Sequence, residues 1–183
     1  YDFIWDVFCD WYIEISKSRL SAGGETSLNA QKVLVFVMSG ILRLLHPFMP
    51  FITEEIWQAI PNDCQTIMLA SYPAYDESLS FASEETEFQR IMDAIKAVRN
   101  VRTEKNVPPS RKAHVYIETA YVSTFEKGTA FFERLCSASG VTVGETVAIE
   151  NAAVGVTDSA KIYLPLGELI DKEKELARLH KEQ

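Results

Sequence analysis

Cysteine is scarce in this sequence. Its 183 residues include only Cys9, Cys64 and Cys136. An odd, sparse count argues against a disulfide framework and favours a reducing compartment, so we expect a cytoplasmic protein. No two cysteines have the Cys-x-x-Cys spacing typical of zinc sites, and we expect no metal.

Long hydrophobic runs are also missing. A membrane span needs about 18–20 apolar residues. The longest run here, 33–45, is interrupted by Ser39, Gly40 and Arg43. The first three residues lack the basic start of a signal peptide. We therefore expect no membrane partner.

Positive charge is in the minority. The chain has 18 lysines and arginines against 26 acidic residues, a formal net charge of −8. Proteins that coat nucleic acids are usually basic, so the net charge counts against that class, and we expect no DNA partner. Any RNA binding must come from a local basic patch or from a region outside this sequence.

Helical periodicity is abundant in the first part of the chain. Phe8, Trp11 and Ile15 follow the spacing of an amphipathic helix, predicted over residues 1–18 and ended by a pair of glycines. This helix starts on its aromatic face without a cap signal. We therefore expect the chain to begin inside, or just before, a helix of a longer domain.

A second helix is predicted from a cap at Thr26 or Ser27 to Leu45. It is apolar on nearly every side. Such a helix is typically enclosed by several neighbours, so the pattern predicts a helical bundle.

A short third helix is predicted to follow. Thr53 is its expected cap, and Glu54 and Glu55 would lie in its first turn, where the helix dipole favours carboxylates. Residues 61–82 contain prolines and a Ser/Asp cluster and are predicted to be a linker.

The pattern changes after residue 82. A helix is predicted from Ser83 to the prolines after Val107, and near Ala113 the hydrophobic period falls to that of a strand. Another helix is predicted over 123–139, with Gly140 as its stop. Further strand candidates are 141–143, 147–149, 152–156 and 161–164.

These patterns predict a mainly α fold with an α+β part. The expected domains are a helical bundle over 1–82, truncated at its start, and a small α+β subdomain over 83–165. The start of a coiled-coil arm is expected over 166–183, because its leucines recur at seven and then three residues.

Three segments carry a family resemblance. They read FCDWYIE at 8–14, with Lys17 just after, LLHPFMPFITEEIW at 44–57 and LPLGELID at 164–171. In sequence and in order they resemble the valyl-tRNA synthetase family of class I aminoacyl-tRNA synthetases. The first segment is the one that favours valine over the related isoleucine, leucine and methionine enzymes.

The resemblance implies that the bundle is an anticodon-binding domain and that the arm leans on the outer corner of tRNA. The parent enzyme would join valine to its tRNA with ATP. Its His-Ile-Gly-His and Lys-Met-Ser-Lys-Ser motifs are absent from these residues. The resemblance thus implies a piece without catalytic residues or a cofactor, inactive alone, whose partners are valine tRNA and the catalytic domain of the same polypeptide.

Basic residues are the best candidates for binding tRNA. Arg99 and Arg102 continue the apolar stripe of the helix that begins near Ser83, so they are expected to face the core. They could pair with acidic residues of a neighbouring domain, or bind phosphates. The full candidate set is Lys17, Arg19, Lys96, Arg99, Arg102, Lys105, Arg111 and Lys112.

Two further alternatives stay open at this level. Trp5, Phe8, Trp11 and Tyr12 could form a base-stacking platform, although their helical spacing favours core packing. The whole chain could instead be a helical protein–protein interaction module without RNA binding, because fold alone does not decide between these functions.

Overall fold

The structure is a computed structural model, and it describes residues 2–108, 110–165 and 167. The chain divides into two compact units, Tyr1–Leu79 and Ser80–Gln183. Their secondary structure agrees with the predicted mainly α fold with an α+β part.

The first unit is helical. A π-helical segment over Phe3–Ile13 continues directly into an α-helix, and two more helices and two short 3₁₀ turns follow. The elements are α1 (Glu14–Ala22), α2 (Gly24–Leu45), α3 (Pro50–Ala59) and the 3₁₀ turns Ile67–Leu69 and Glu77–Leu79.

The predicted amphipathic face of the first helix is confirmed. Phe8, Trp11 and Ile15 are buried, so core packing accounts for two of the four candidate stacking aromatics. Trp5 is exposed. The helix runs to Ala22 and ends where the next residue adopts a φ of 72°, which a glycine tolerates without strain.

The predicted cap of α2 is wrong. The helix begins at Gly24, and no side chain caps it. Ser27 instead lies inside the helix, where its hydroxyl donates to the carbonyl oxygen of Leu20 at 3.0 Å. This bond ties α2 to the end of α1 across the glycine turn.

Within the first unit, α2 is less enclosed than predicted. Leu28, Val33 and Phe36 are exposed, and 17% of the most apolar 18-residue stretch is buried. By length and composition alone, α2 is long and apolar enough to cross a membrane. We considered only uninterrupted apolar runs in the sequence and therefore did not predict this. Core helices of soluble proteins, which are mostly buried, can have the same length and composition.

The start of α3 also differs from the prediction. Pro50, rather than Thr53, opens the helix, as expected for proline at a first helical position. Thr53 is buried in the helix and donates to the carbonyl oxygen of Met49 at 2.8 Å. Its hydroxyl also lies 2.7 Å from Nδ1 of His46. Glu54 therefore lies beyond the first turn.

Part of the predicted linker belongs to the core of the first unit. Ile67 packs with Leu42 and Trp57 in one buried cluster. The indole nitrogen of Trp57 also donates to the carbonyl oxygen of Cys64 at 3.3 Å. Residues 61–71 thus fold back onto α2 and α3, which the prediction of a linker over 61–82 did not include.

The second unit is an α+β structure. One long helix precedes a four-stranded sheet, and two short helices connect the first two strands. The elements are α4 (Ala82–Glu104), β1 (Ala113–Glu118), α5 (Val122–Lys127), α6 (Thr129–Leu135), β2 (Ala138–Gly144), β3 (Ala152–Val156) and β4 (Lys161–Pro165).

The sheet order is β2-β1-β4-β3. β1 pairs in parallel with β2, and β4 pairs antiparallel with both β1 and β3. Val115, Ile117, Ile162 and Leu164 are fully buried, alternating with half-buried residues, which confirms the predicted strand period. No strand occurs within residues 2–60, as the change of period predicts.

Three predictions in this unit need correction or lie outside the structure. The helix predicted over 123–139 is two short helices, and the chain enters β2 at Ala138 after Ser137 adopts a φ of 53°. Gly140 is therefore in a strand. No strand forms over 147–149. The coiled-coil arm predicted beyond residue 165 lies outside the described residues.

Candidate nucleic-acid interface

The last turns of α4 carry three basic residues three positions apart. Lys96, Arg99 and Arg102 therefore occupy neighbouring positions along the helix surface. Their environments differ, however. Lys96 and Arg99 are exposed, whereas Arg102 is 7% exposed. The prediction that both arginines face the core is thus confirmed for Arg102 and wrong for Arg99.

Arg102 holds the loop after α4. Its Nη2 donates to the carbonyl oxygens of Pro108 at 3.1 Å and Arg111 at 2.5 Å. Burial lowers the pKa of its guanidinium. Within its own unit, Arg102 thus binds backbone carbonyls, and pairing with acidic residues of a neighbouring domain stays a prediction.

Arg99 binds the C-terminal end of a second helix, α6. Its Nε donates at 3.1 Å to the carbonyl oxygen of Leu135, the last residue of α6. Cations near helix C-termini are favoured because the terminal carbonyls lack intrahelical partners. This contact fixes one edge of the guanidinium, while the side chain stays exposed at the surface.

The remaining basic residues of this region lie around that framework. Lys96 is 3.9 Å from Asp93, an exposed pair that contributes little to stability. Lys105 and Lys112 are exposed, and Arg111 is half-buried. Arg102 binds the carbonyl oxygen of Arg111 and so holds the basic residues of the loop near the basic end of α4.

The other two candidates lie in the first unit. Lys17 forms a hydrogen-bonded ion pair with Glu14, one turn earlier in α1. Arg19 is exposed in the last turn of the same helix. The structure thus brings six of the eight predicted residues into the second unit and leaves two in the first.

A cleft of about 300 Å³ opens beside the two arginines, lined in part by Thr103, Leu135 and Cys136. Burial raises the pKa of the Cys136 thiol to about 12, so it is not a nucleophile at neutral pH. No group of three potential ligands close enough to hold a metal ion occurs among the described residues. The exposed basic side chains of this region can bind anions.

Sequence reasoning missed a second set of residues. His114, Tyr116 and Tyr163 lie on the sheet face opposite the buried strand residues. Tyr163 donates to the Glu118 carboxylate at 3.0 Å, and this bond raises the pKa of the tyrosine hydroxyl. The alternation around Ala113 was visible in the sequence, but the pairing of β1 with β4 was not.

Comparison with known proteins now gives the family. Residues 1–117 match the family described as the anticodon-binding domain of tRNA ligase. This match includes the first unit, α4 and most of β1. It therefore extends across the boundary between the two compact units.

The chain is also similar to bacterial valine--tRNA ligases. That of Clostridium acetobutylicum is 44% identical over 188 residues, covering 100% of this chain and 21% of the relative. That of Clostridium tetani is 45% identical over 184 residues, covering 98% and 21%.

The corresponding Listeria monocytogenes protein is 40% identical over 187 residues, covering 100% and 21%. The chain spans about a fifth of the length of these curated relatives. The resemblance found in the sequence is confirmed, and the chain belongs to the anticodon-binding domain family of tRNA ligases.

Proposed function

We propose that this chain is the C-terminal tRNA-binding region of a valine–tRNA ligase, which joins valine to its tRNA with ATP. The observation that carries the proposal is the 44% identity to a valine--tRNA ligase over the whole chain. Its partners are valine tRNA and the catalytic domain of the same cytoplasmic polypeptide. The proposed domains are 1–82 for the helical bundle, 83–165 for the α+β subdomain and 166–183 for the start of the coiled-coil arm.

The basic end of α4 and its loop are the proposed phosphate-binding surface. Lys96, Arg99, Lys105 and Lys112 are exposed there, on a chain whose net charge is −8. Arg102 positions this surface by holding the carbonyl oxygen of Arg111. Phosphate contacts carry no sequence information directly, so this surface orients tRNA rather than selecting it. Lys17 and Arg19 are a separate proposed contact in α1.

Titration of the chain with valine tRNA at several salt concentrations tests the proposal. Each lost phosphate contact lowers the slope of log affinity against log salt by about one unit. Lys96→Ala combined with Lys105→Ala should weaken all tRNAs alike and reduce this slope. Lys32→Ala combined with Lys127→Ala removes the same charge elsewhere and is the matched control.

If the two double variants bind tRNA with the same affinity and slope, the surface is only a solvated face.

We further infer that the chain alone does not activate valine, because the nucleotide-binding motifs implied by the resemblance are absent from its 183 residues. An ATP–pyrophosphate exchange assay with valine should give background, and turnover above background would contradict this inference.

A protein–protein interaction module is the second candidate. The turn after α2 and the first turn of α3 favour it, because Phe48 is 82% exposed and Phe51 is 91% exposed. Exposed apolar surface of this kind is typical of contact sites. Sedimentation separates the candidates: concentration-dependent association that Phe51→Ser abolishes, together with no binding of tRNA at low salt, would favour this function.

A further inference from the structure

The sheet of the second unit has two different faces. On one face, α4 packs closely: a Cβ at Gly155 of β3 would lie 3.3 Å from Cγ2 of Val101. The buried residues of β1 and β4 belong to this face. The opposite face is open to solvent at β3, where Val154 and Val156 are exposed.

Three rings form a row on this open face. His114 and Tyr116 lie two residues apart on β1, with ring centroids 4.4 Å apart and planes inclined by 43°. Tyr163 of β4 is directly opposite Tyr116 in the strand register. All three side chains are half-buried, so part of each ring remains accessible.

The outer rings of this row are held by their polar atoms. Nε2 of His114 lies 2.8 Å from the hydroxyl of Thr142. The hydroxyl of Tyr163 donates to Glu118 at 3.0 Å. Gly140 leaves room for the imidazole, since a Cβ there would lie 2.9 Å from Cε1 of the ring. A ligand that stacks on rings already held in place loses less conformational entropy on binding.

Two lysines flank the row. Lys112 is exposed immediately before β1, and Lys161 is exposed at the start of β4, 3.8 Å from Glu118. Lys161 is paired with Glu118 at the end of β1, whereas Lys112 precedes its start, so the two lysines are separated by roughly 20 Å along the strand direction. Cations at both ends of an aromatic row complement a strand of bases joined by phosphates.

We infer that this ring row, His114, Tyr116 and Tyr163, binds unpaired RNA bases by stacking, with Lys112 and Lys161 beside the backbone. The inference rests on the proposed tRNA-binding function. Unpaired bases are commonly recognised by stacking on aromatic side chains, including those of open sheets. Cross-strand packing of Tyr116 on Tyr163 would stabilise the sheet without RNA, but it does not require an imidazole fixed over Gly140.

A comparison of two single strands isolates the stacking contribution. The chain is titrated, by fluorescence anisotropy, with labelled oligoadenylate about ten nucleotides long and with an abasic strand of equal length and charge. Stacking of one base should make the oligoadenylate bind about 5- to 150-fold more tightly. Ring NMR signals of Tyr116 and Tyr163 should shift only with the strand that carries bases.

Matched variants test whether the preference for the strand with bases comes from the ring row. Tyr116→Leu should remove most of the preference for bases, and Tyr116→Phe should keep it. Tyr75→Leu, a change at an exposed tyrosine of the first unit, should also keep it. If Tyr116→Leu fails to fold, His114→Ala provides the same test from the other end of the row.

Equal affinity for the two strands, or an unchanged preference in folded Tyr116→Leu or His114→Ala, would overturn the inference. Failure of the proposed function gives a different result, because the wild-type chain would then not bind valine tRNA even at low salt. If tRNA binds with a normal salt slope while the abasic strand binds as well as oligoadenylate, only the stacking inference fails.

Discussion

The carboxylate of Glu54 accepts a hydrogen bond from the hydroxyl of Thr66 at 2.7 Å, across twelve positions of the chain. It also accepts one from the backbone of Ile67 at 3.1 Å and one from Gln58 at 2.7 Å. One side chain on α3 thus anchors the segment that supplies Ile67 to the core of the first unit.

This relationship predicts a pH dependence of stability. The bond from Gln58, followed by that from Thr66, lowers the pKa of Glu54. A carboxyl whose pKa is lower in the folded state stabilises the fold above its unfolded pKa of about 4.3, and this contribution is lost as the pH falls through the folded value. Glu54→Gln should therefore lower the Tm at pH 7 and have a smaller effect near pH 3.

The matched control is Glu55→Gln, at the neighbouring exposed position of α3. It should leave the Tm nearly unchanged at both pH values. Thermal denaturation followed by circular dichroism measures both variants. An equal loss of Tm at pH 7 and pH 3 for Glu54→Gln would show that ionisation of this carboxyl does not matter.

Removal of Arg102 should destabilise the second unit. Arg102→Ala deletes two charge-assisted hydrogen bonds from a buried side chain, and we expect a loss of about 2–4 kcal/mol in the free energy of unfolding. Urea denaturation measures this loss. Lys105→Ala, three residues later at an exposed position, should change stability by less than about 0.5 kcal/mol. Equal midpoints for the two variants would argue against the loop-holding role.

Two glycine substitutions should have opposite effects. Gly140→Ala would place a Cβ 2.9 Å from the His114 ring and displace it from Thr142, lowering stability. Gly40→Ala meets nothing within 4 Å and lies inside α2, so it should raise stability by about 0.5–1 kcal/mol. Chemical denaturation of both variants checks the signs, and destabilisation by Gly40→Ala would contradict the open space at that site.

The three thiols should differ in reactivity. Cys136 is buried with a pKa of about 12, whereas Cys9 and Cys64 are half-buried. Since the thiolate is the reactive form, iodoacetamide at pH 8 should label Cys136 last. Mass spectrometry of the peptides measures the order. In urea all three should react at similar rates, and early labelling of Cys136 in the folded chain would mean that its site opens readily.

Local signals in the sequence were sufficient to predict most of the helices. The stripe of α4 and the alternation of β1 depend on nearest neighbours along the chain, so periodicity finds them. The predicted cap of α3, Thr53, lies four residues after the observed cap, Met49, because the sequence offers both a threonine cap and Pro50 as a first helical residue. The break at Ser137 depends on a positive φ at a residue without a glycine signal.

The candidate site was predictable in composition but not in its contacts. The basic residues could be identified directly in the sequence, yet Arg99 binds a carbonyl oxygen 36 positions away, and Arg102 binds a carbonyl oxygen of the loop after α4. The ring row needed the register of β1 with β4, which joins residues 47 positions apart, such as Tyr116 and Tyr163. Single-sequence patterns contain no information about such pairings.

The order of the strands has a consequence for synthesis on the ribosome. β4 emerges last of the four strands, yet it lies between β1 and β3 and bonds to both. A nascent chain that ends before Lys161 can pair β1 only with β2, and β3 has no neighbour. The second unit can therefore complete its sheet only after residue 165 has left the exit tunnel, and until then the edges of β1 and β3 stay open to mispairing.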